Sequence, residues 1–443
     1  MLHHSTRTSS VKLGNPTEMT IRTIYRMLQA LKFVPLVVLF SAALAAQTAT
    51  QPQRIILTLT ADPAHSMAIT WRSAQAEATP AVQVAVASAA PNFFKDAATV
   101  PATPKAVANT ELKLSYSAVL QGLKPDTQYL YRVGRDGAWS EWNVFRTAQE
   151  KPAPFRFLYV GDAQNSIHSL WSHTIRAAYA AAPDARFIVH AGDLVAEGFD
   201  DKLWGEWHDS LGFIAATMPS LPVVGNHDLH LAVSAGDGDG KVKNIFAAPL
   251  WTANFTLPAN GPAIAETPGQ SYYVDYQGVR FIALDANVWA NDSYLPEQRE
   301  RVSAVELKWL EELLKTNPNR WTIVVQHQSP YSVGKDRDYD EMRAALVPLF
   351  DKYHVDLVLM GHDHCYARTR RITASKPAAN GTVYVISVSG PKMYKVSNRH
   401  AELMEVVREN TQMYQVVDVE GDHLKFSAYD ATGVKVDEFT LDK

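Results

Sequence analysis

Five short apolar runs that end directly in polar side chains are the feature that most constrains this chain. The runs FLYVGD, FIVHAGD, LPVVGNHD, TIVVQH and VLMGHDH end in Asp162, in Asp193, in Asn226, His227 and Asp228, in His327, and in His362 and His364. Buried parallel strands place such side chains in one crevice at their carboxyl ends. Asp and Asn also form turns, and a lone His is usually a hydrogen-bonding residue. Five such endings in one chain, four of them with a nearby glycine, instead indicate a common site.

The residue types at these strand ends are metal ligands. Two carboxylates, one amide oxygen and three imidazoles suit a pair of divalent or trivalent cations. One shared carboxylate would hold two metals about 3.5 Å apart, a spacing that binds phosphoryl oxygens and generates hydroxide near neutral pH. The pattern therefore predicts a dinuclear centre.

Residues 155–440 alternate buried apolar runs with helical patterns. Periodicity predicts helices over 167–182, 201–217, 297–316 and 339–353. Alternation of strand and helix is typical of a layered α/β domain with mostly parallel strands. We therefore expect one α/β domain over 155–440, with a surface excursion between Leu229 and Gln270.

Residues 53–147 have a different pattern, with short alternating apolar runs and no helical stretch between them. This pattern predicts an N-terminal antiparallel β-sandwich. Within it, the stretch Leu123-Lys-Pro-Asp-Thr-Gln-Tyr129 resembles a corner of fibronectin type III domains, in which the tyrosine hydroxyl anchors the turn. The polar segment 148–154, with two prolines, is predicted to be a linker.

Residues 1–46 have the layout of a signal peptide. Arg22, Arg26 and Lys32 precede an apolar run at 33–46 that ends in small residues, as in a secretory signal. The run is shorter than the ~20 residues of a membrane span. We therefore expect a secreted or periplasmic protein without a membrane partner after signal cleavage.

Composition narrows the function further. The chain has 443 residues, of which 47% are hydrophobic, and a net charge of −4. The absence of a basic excess gives no reason to expect a nucleic-acid partner, beyond possible nucleotide substrates. Cys365 is the single cysteine, which excludes intramolecular disulfides and any cysteine-rich zinc module.

The order GD, GD, GNHD, H and GHDH resembles that of the calcineurin-like metallophosphoesterase superfamily. LKPDTQY, SYYVDYQGVRFIALDA and GHDHCYARTRR are similar to stretches of purple acid phosphatases in particular. The resemblance implies a fibronectin type III-like sandwich followed by a layered α/β/β/α domain with mixed sheets. It also implies two metal ions per chain, either Fe, Zn or Mn. The expected activity is acid phosphatase-like: a metal-bridging hydroxide hydrolyses a phosphate monoester, a small-molecule substrate.

The resemblance also implies a role for each site residue. Asp162, Asp193 and His364 would hold the first metal, Asp193 would bridge, and Asn226, His327 and His362 would complete the second. His227 would donate a proton to the leaving alkoxide or hydrogen-bond the phosphoryl group. Asp228 would orient His227 and raise its basicity.

Two departures from the family affect the first metal. Purple acid phosphatases carry a tyrosinate ligand three residues after the second aspartate, where this chain has Ala196. The protein should therefore not be purple, and the argument for Fe(III) is weaker. Gln164 stands where many superfamily members have a metal-binding histidine. Its amide could bind the metal through oxygen, or it could hydrogen-bond a ligand or the backbone.

Substrate histidines that plant-like enzymes place after the His327 motif are missing. Tyr331, Lys335 or Arg337 could bind a substrate phosphate instead, or this stretch could be a solvated loop. The missing histidines and the excursion after Leu229 keep a phosphodiesterase as an alternative. A non-catalytic surface binding protein with a vestigial metal site is the second alternative.

Overall fold

A computed structural model describes residues 51–232, 244–247, 249–265, 267–290 and 296–443. The predicted signal peptide and the centre of the predicted excursion lie outside these ranges. Among the described helices, none combines the length and the apolar character needed to cross a membrane.

The N-terminal part forms two antiparallel sheets, as its alternating pattern predicts. Its strands are β1 (Gln53–Thr58), β2 (Met67–Ser73), β3 (Ala81–Val86), β4 (Ala98–Pro101), β5 (Thr103–Ala106), β6 (Leu114–Leu120), β7 (Gln128–Arg135), β8 (Ala138–Trp139) and β9 (Asn143–Arg146). One sheet contains β1, β2, β6 and β5, and the other contains β4, β3, β7 and β8, with β9 also paired to β7. The sheets enclose a core that includes Trp71, Val82, Tyr131 and Phe145.

The predicted tyrosine corner is confirmed. The backbone amide of Lys124 donates to the Tyr129 hydroxyl at 2.8 Å. The Tyr129 ring is buried and stacks on Phe145, with 5.5 Å between ring centroids. The corner thus joins the turn before β7 to the sandwich core.

The remaining strands and helices form the α/β part. Its strands are β10 (Phe155–Val160), β11 (Ile188–Ala191), β12 (Ser220–Val223), β13 (Leu229–Ala232), β14 (Asn244–Ala247), β15 (Tyr272–Tyr276), β16 (Val279–Leu284), β17 (Trp321–Gln326), β18 (Leu357–Met360), β19 (Tyr366–Thr369), β20 (Ile372–Thr373), β21 (Lys376–Pro377), β22 (Val383–Ile386), β23 (Met404–Arg408), β24 (Met413–Glu420), β25 (His423–Asp430) and β26 (Lys435–Asp442). Its helices are α1 (Ser172–Ala181), α2 (Asp201–Leu211), α3 (Phe213–Thr217), α4 (Trp251–Asn254), α5 (Asn287–Ala290), α6 (Pro296–Lys315) and α7 (Asp340–Lys352).

Two mixed sheets pack face to face in this part. One contains β26, β25, β24, β10, β11 and β12 in that order, and the other contains β15, β16, β17, β18, β22, β19 and β23. Aromatic and aliphatic side chains from both sheets, such as Phe157, Phe187 and Phe281, fill the space between them. A second core packs helices against the sheets and includes Trp204 of α2, Leu310 of α6 and Phe350 of α7. The predicted fold class is therefore confirmed.

One sheet runs through both parts of the molecule. β1 of the sandwich pairs in parallel with β12, with Thr58 opposite Ser220. The sheet of β26 to β12 therefore continues through β1, β2, β6 and β5 as a ten-stranded sheet. The predicted linker is also held in place, because Gln277 accepts from the Gln149 amide and donates to the Ala153 carbonyl.

Local details differ from the predicted elements. The region predicted as one helix over 201–217 breaks at Gly212, whose φ of 56° lies in the left-handed region that favours glycine. The helix predicted from residue 167 begins with a π-helical turn, Ile167–Trp171. The antiparallel strands β24 to β26, which widen the first sheet, were not among the predicted runs.

Candidate metal centre

The five polar strand ends meet at the edges of the two sheets. Asp162, Asp193 and Asn226 follow β10, β11 and β12, whereas His327 and His362 follow β17 and β18 of the facing sheet. These strands are parallel within each sheet, so their carboxyl ends lie together. The predicted juxtaposition therefore agrees with the fold, although metal binding itself stays a prediction.

Four of these side chains leave the backbone in a conformation that L residues rarely adopt. The φ angles of Asp162, Asp193, His362 and His364 are 52°, 51°, 73° and 51°. Non-glycine residues in the left-handed region are uncommon and concentrate at functional sites. The backbone is therefore strained at the four positions where it directs these side chains into the crevice.

Two groups of three potential ligands share one carboxylate. Asp193, His327 and His362 form one group, and Asp162, Asp193 and His364 form the other, with the ligand atoms of each group within 4.8 Å of one another. All five side chains are buried, with at most 8% of their surface exposed. We call these five residues the ligand cluster. Asp193 belongs to both groups, as a bridging ligand would.

The ionisable groups of the ligand cluster shift one another's pKa values. Burial opposes the charge of His327, but Asp193 and Asp162 raise the pKa of this histidine to about 9. Burial also opposes the charge of Asp193, yet His327 holds the pKa of this carboxyl well below its usual range. Burial lowers the pKa of His364 to about 3 and that of His362 well below its ordinary value. The latter two imidazoles are therefore neutral, the form that binds metals.

Each histidine of the cluster has a second partner that sets its orientation. Nδ1 of His327 donates to the Ala191 carbonyl (2.7 Å), and Nδ1 of His364 donates to the Lys392 carbonyl (2.9 Å). Nε2 of His362 lies 2.6 Å from the Tyr339 hydroxyl. Such partners fix which nitrogen faces a metal and raise the basicity of the ligand. The ligating nitrogens would be Nε2 of His327 and His364, and Nδ1 of His362.

Gln164 lies within the cluster but presents its nitrogen to it. Its Nε2 donates to Asp193 Oδ2 at 2.7 Å and lies 3.1 Å from His364 Nε2. An amide nitrogen cannot bind a metal, so in this orientation Gln164 hydrogen-bonds the ligands instead of acting as one. Both roles of Gln164, as a ligand through its oxygen and as a hydrogen-bond donor to the ligands, stay predictions.

One buried amide oxygen tests whether the site suits metal ions. Asn226 Oδ1 is inaccessible to solvent and lacks a hydrogen-bond partner within the described residues. A buried oxygen without a partner is unfavourable, and a cation would satisfy it. With the mixed carboxylate and imidazole donors, this observation shows that the residues fit metal ions of the borderline type.

His227 lies beside the cluster and is oriented by the backbone. Its amide donates to Asp193 Oδ1 at 2.9 Å, and its Nδ1 donates to the Ala196 carbonyl at 2.7 Å. The side chain is partly exposed. Nε2 is consequently the nitrogen available to a substrate.

The expectation that Asp228 orients the His227 ring is wrong. Asp228 is fully buried, and its carboxylate accepts the backbone amides of Gly225, Leu194 and Val195. The Ala196 carbonyl occupies the position expected for Asp228, because the loop after β11 lies against the loop after β12 there. Asp228 therefore holds two backbone segments of the site together and does not touch the imidazole.

A second set of side chains surrounds the opening of the cluster. Arg337 donates to the His362 carbonyl, and its guanidinium lies 4.9 Å from the Tyr394 ring centroid. The Lys392 ammonium lies 5.4 Å from the same ring, which is 4.6 Å from the His364 ring. We call Arg337, Tyr339, Lys392 and Tyr394 the rim.

Of the three residues predicted as phosphate-binding alternatives, the structure brings only Arg337 to the site. Tyr331 is buried and its hydroxyl is 3.0 Å from Ser375 Oγ, and the Lys335 side chain is exposed. Sequence reasoning missed Tyr339 because it was assigned to the start of a helix. Lys392 follows the strand β22, and no motif marks it.

Comparisons with known proteins agree with this geometry. A family profile described as the purple acid phosphatase N-terminal domain matches residues 52–147, and a profile described as calcineurin-like phosphoesterase matches residues 155–366. An uncharacterized protein of Mycobacterium tuberculosis is 27% identical over 288 residues, covering 60% of this chain and 52% of that protein. Purple acid phosphatase 23 of Arabidopsis thaliana is 23% identical over 317 residues, covering 63% of each chain.

A solved structure shows the same fold. The purple acid phosphatase from yellow lupin seeds superimposes with a TM-score of 0.71 at 19% identity, covering 89% of this chain and 74% of that one. The present chain spans about half the length of the M. tuberculosis relative.

The fold, the two consecutive profiles and the site define the class of protein. Residues 155–366 form a calcineurin-like phosphoesterase domain. The N-terminal domain of purple acid phosphatases precedes it at residues 52–147, so over both stretches the chain is purple acid phosphatase-like.

Proposed function

We propose that this protein is an exported, metal-dependent phosphoric ester hydrolase that acts on phosphate monoesters. The observation that carries the proposal is the pair of buried ligand groups sharing Asp193, with His227 at their side. The apolar run at 33–46 supports export. We retain the division into a signal peptide, a sandwich over 53–147, a linker over 148–154 and a catalytic domain over 155–440.

The ligand cluster and Asn226 would hold two metal ions. Asp162, Asp193 and His364 would bind one ion, and Asp193, Asn226, His327 and His362 the other. Such ions supply positive charge for the phosphoryl oxygens and activate water for attack on phosphorus. The mixture of ligands is compatible with Fe, Zn or Mn, and without a tyrosinate ligand the protein should not be purple.

His227 would act on the leaving group, and Asp228 would keep the site in shape. His227, oriented through Nδ1 by the Ala196 carbonyl, would protonate the departing alkoxide from Nε2. A positioned histidine that donates a proton accelerates the departure of a poor leaving group such as an alkoxide. Asp228 would act indirectly, because its three backbone hydrogen bonds keep the loop after β11 and the loop after β12 in register.

The rim would contact the substrate. Arg337 is already engaged by the His362 carbonyl and by Asp363, 3.5 Å away, so it would stabilise the opening more than it would bind phosphate. Lys392 is half-buried, and its one described side-chain contact is the Tyr394 ring. We assign Lys392 to the phosphoryl oxygens, in place of the substrate histidines that the sequence lacks.

Metal content and ester preference, measured on one purified sample, test this proposal. We expect about two metal ions per chain and faster hydrolysis of p-nitrophenyl phosphate than of bis(p-nitrophenyl) phosphate. Chelation should remove the activity, and adding metal back should restore it. Full activity in metal-free protein would refute the proposal.

Two other results would select the alternatives. A preference for the diester would identify a phosphodiesterase. Metal-replete protein that is inactive on a broad panel of esters would identify a binding protein with a vestigial site.

A further inference from the structure

We propose that the N-terminal sandwich positions the proton donor His227 through two arginines, Arg54 and Arg72, that hold Asp201. The inference rests on the proposed function, because it gives His227 a role in departure of the leaving group. It assigns the sandwich a part in the reaction beyond covering the catalytic domain.

The contact begins at one carboxylate shared by two guanidinium groups. Arg54 of β1 donates to Asp201 Oδ1 at 2.6 Å and to the Asp201 carbonyl at 3.1 Å. Arg72 of β2 donates to the same Oδ1 at 3.4 Å. The exposed fractions of the Arg54, Arg72 and Asp201 side chains are 14%, 0% and 11%. Charge-assisted hydrogen bonds shielded in this way are stronger than surface ion pairs.

The backbone of the sandwich is adapted to this contact. Arg54 has a φ of 52°, unfavourable for a residue with a Cβ atom, and the pairing of β1 with β2 shifts register between Gln53 and Ile56. On the other side, a Cβ atom at Gly205 would lie 2.9 Å from Arg54 Nη2. The irregular strand and the glycine together let the guanidinium lie against α2.

The held residue, Asp201, begins α2 directly after the loop that contacts His227. In that loop, the Ala196 carbonyl accepts from His227 Nδ1, and the Gly198 amide donates to the His227 carbonyl at 2.8 Å. The Gly198 carbonyl accepts from Trp204 Nε1 of α2 at 3.0 Å. A Cβ atom at Gly198 would lie 2.3 Å from the Asp228 carbonyl oxygen, so the loop is packed tightly against the His227 segment.

The placement of α2 therefore sets the placement of the Ala196 carbonyl, and that carbonyl orients the His227 ring. Residues 52–443 form one compact unit, so the sandwich provides a fixed support. Loosening Asp201 should disturb the orientation of His227 more than the ligand cluster, because Asp193 lies at the β11 end of this loop and Asp201 at its other end, and the other four ligands follow other strands.

The test uses leaving groups that differ in their need for a proton. In the full chain, Arg54→Gln should lower kcat on glycerol 2-phosphate about tenfold and kcat on p-nitrophenyl phosphate about twofold or less, because the nitrophenolate departs without protonation. Arg54→Lys, which keeps the charge, should recover part of the loss. Metal content should be unchanged.

Arg280→Gln is the matched control. Arg280 pairs with Asp275 at 2.7 Å and has 6% of its side chain exposed, but it belongs to β16 of the facing sheet, where it also contacts the Leu313 carbonyl and the Tyr273 ring. This variant should lose stability without changing the ratio of the two rates. If Arg54→Gln does not fold, Asp201→Asn serves instead, and the same selective loss is expected.

Four results would overturn the inference. Equal losses on the two esters, or no loss on glycerol 2-phosphate, would show that the arginines are structural only. A loss of metal in Arg54→Gln would show that they act on the ligand cluster. A wild-type protein that hydrolyses neither ester would instead overturn the proposed function, and this inference with it.

Discussion

The ligand cluster and the rim lie next to each other but are built differently. The ligand side chains have at most 8% of their surface exposed and leave the ends of central strands, and backbone carbonyls or a hydroxyl orient the three histidines among them. The rim side chains come from two loops and are half-buried; Arg337 and Lys392 contact the Tyr394 ring, and Tyr339 contacts His362. Under the proposed function, we therefore expect changes in the cluster to affect bound metal and turnover, and changes in the rim to have smaller effects.

Removal of the shared carboxylate should have the largest effect. Asp193→Asn takes away the one residue common to both ligand groups, so we expect bound metal and activity to be lost together. Elemental analysis and p-nitrophenyl phosphate turnover on the same sample measure this. Asp62→Asn is the control, because Asp62 is a carboxylate of the sandwich with 60% of its side chain exposed. Retained activity in Asp193→Asn would contradict the assignment of Asp193 as the ligand shared by both metals.

Removal of the proton donor should separate activity from metal binding. His227→Asn should lower kcat by about 10²- to 10⁴-fold, the range for loss of a general acid, with metal content unchanged. The histidine touches the cluster through its backbone amide, which the variant keeps. If metal is lost as well, His227 is needed for metal binding and is not a proton donor separate from the ligands.

Tyr339 is the rim residue whose hydroxyl lies within hydrogen-bond distance of a ligand imidazole, and it tests how far the rim influences the metals. Tyr339→Phe removes the hydroxyl 2.6 Å from His362 Nε2 and should weaken metal affinity by about 10- to 100-fold. Isothermal titration of the metal-free protein measures the change. Tyr331→Phe removes a hydroxyl from the same stretch of chain, one that contacts Ser375. Equal affinities in both variants would contradict the assignment.

The smallest effect is expected at Lys392. Because this ammonium is half-exposed, Lys392→Gln should raise KM for p-nitrophenyl phosphate by about two- to fivefold with little change in kcat. Lys395→Gln, three residues away with 84% of the side chain exposed, is the matched control. Steady-state kinetics on both variants measure KM. An identical KM in both would show that Lys392 does not bind the substrate.

The ligand cluster could be predicted because the hydrophobic pattern of the sequence shows where each buried strand ends. Each buried run ends at its polar residue, and the parallel arrangement brings the ends together whatever the loops do. The role of Asp228 was not predictable, since a backbone carbonyl from a different loop took the position beside His227. Lys392 and Tyr394 come from a loop without a motif, and only the packing of Tyr394 on His364 reveals them.

Gln164 shows where residue type alone cannot decide. Its position in the first motif was correctly expected to lie among the ligands, but an amide has a donor end and an acceptor end of nearly the same shape. Which end faces Asp193 depends on the hydrogen bonds available in the folded site. The sequence contains no information on that choice.

The pairing of β1 with β12 has a consequence for any attempt to isolate the phosphoesterase part. Cutting the chain in the segment 148–154 would remove β1 and uncover the start of β12, where Thr58 lies opposite Ser220 and the Leu59 amide donates to the Ser220 carbonyl. Unpaired backbone groups at a strand edge can pair with a second molecule. A shortened protein beginning at residue 155 should therefore self-associate more than the full chain.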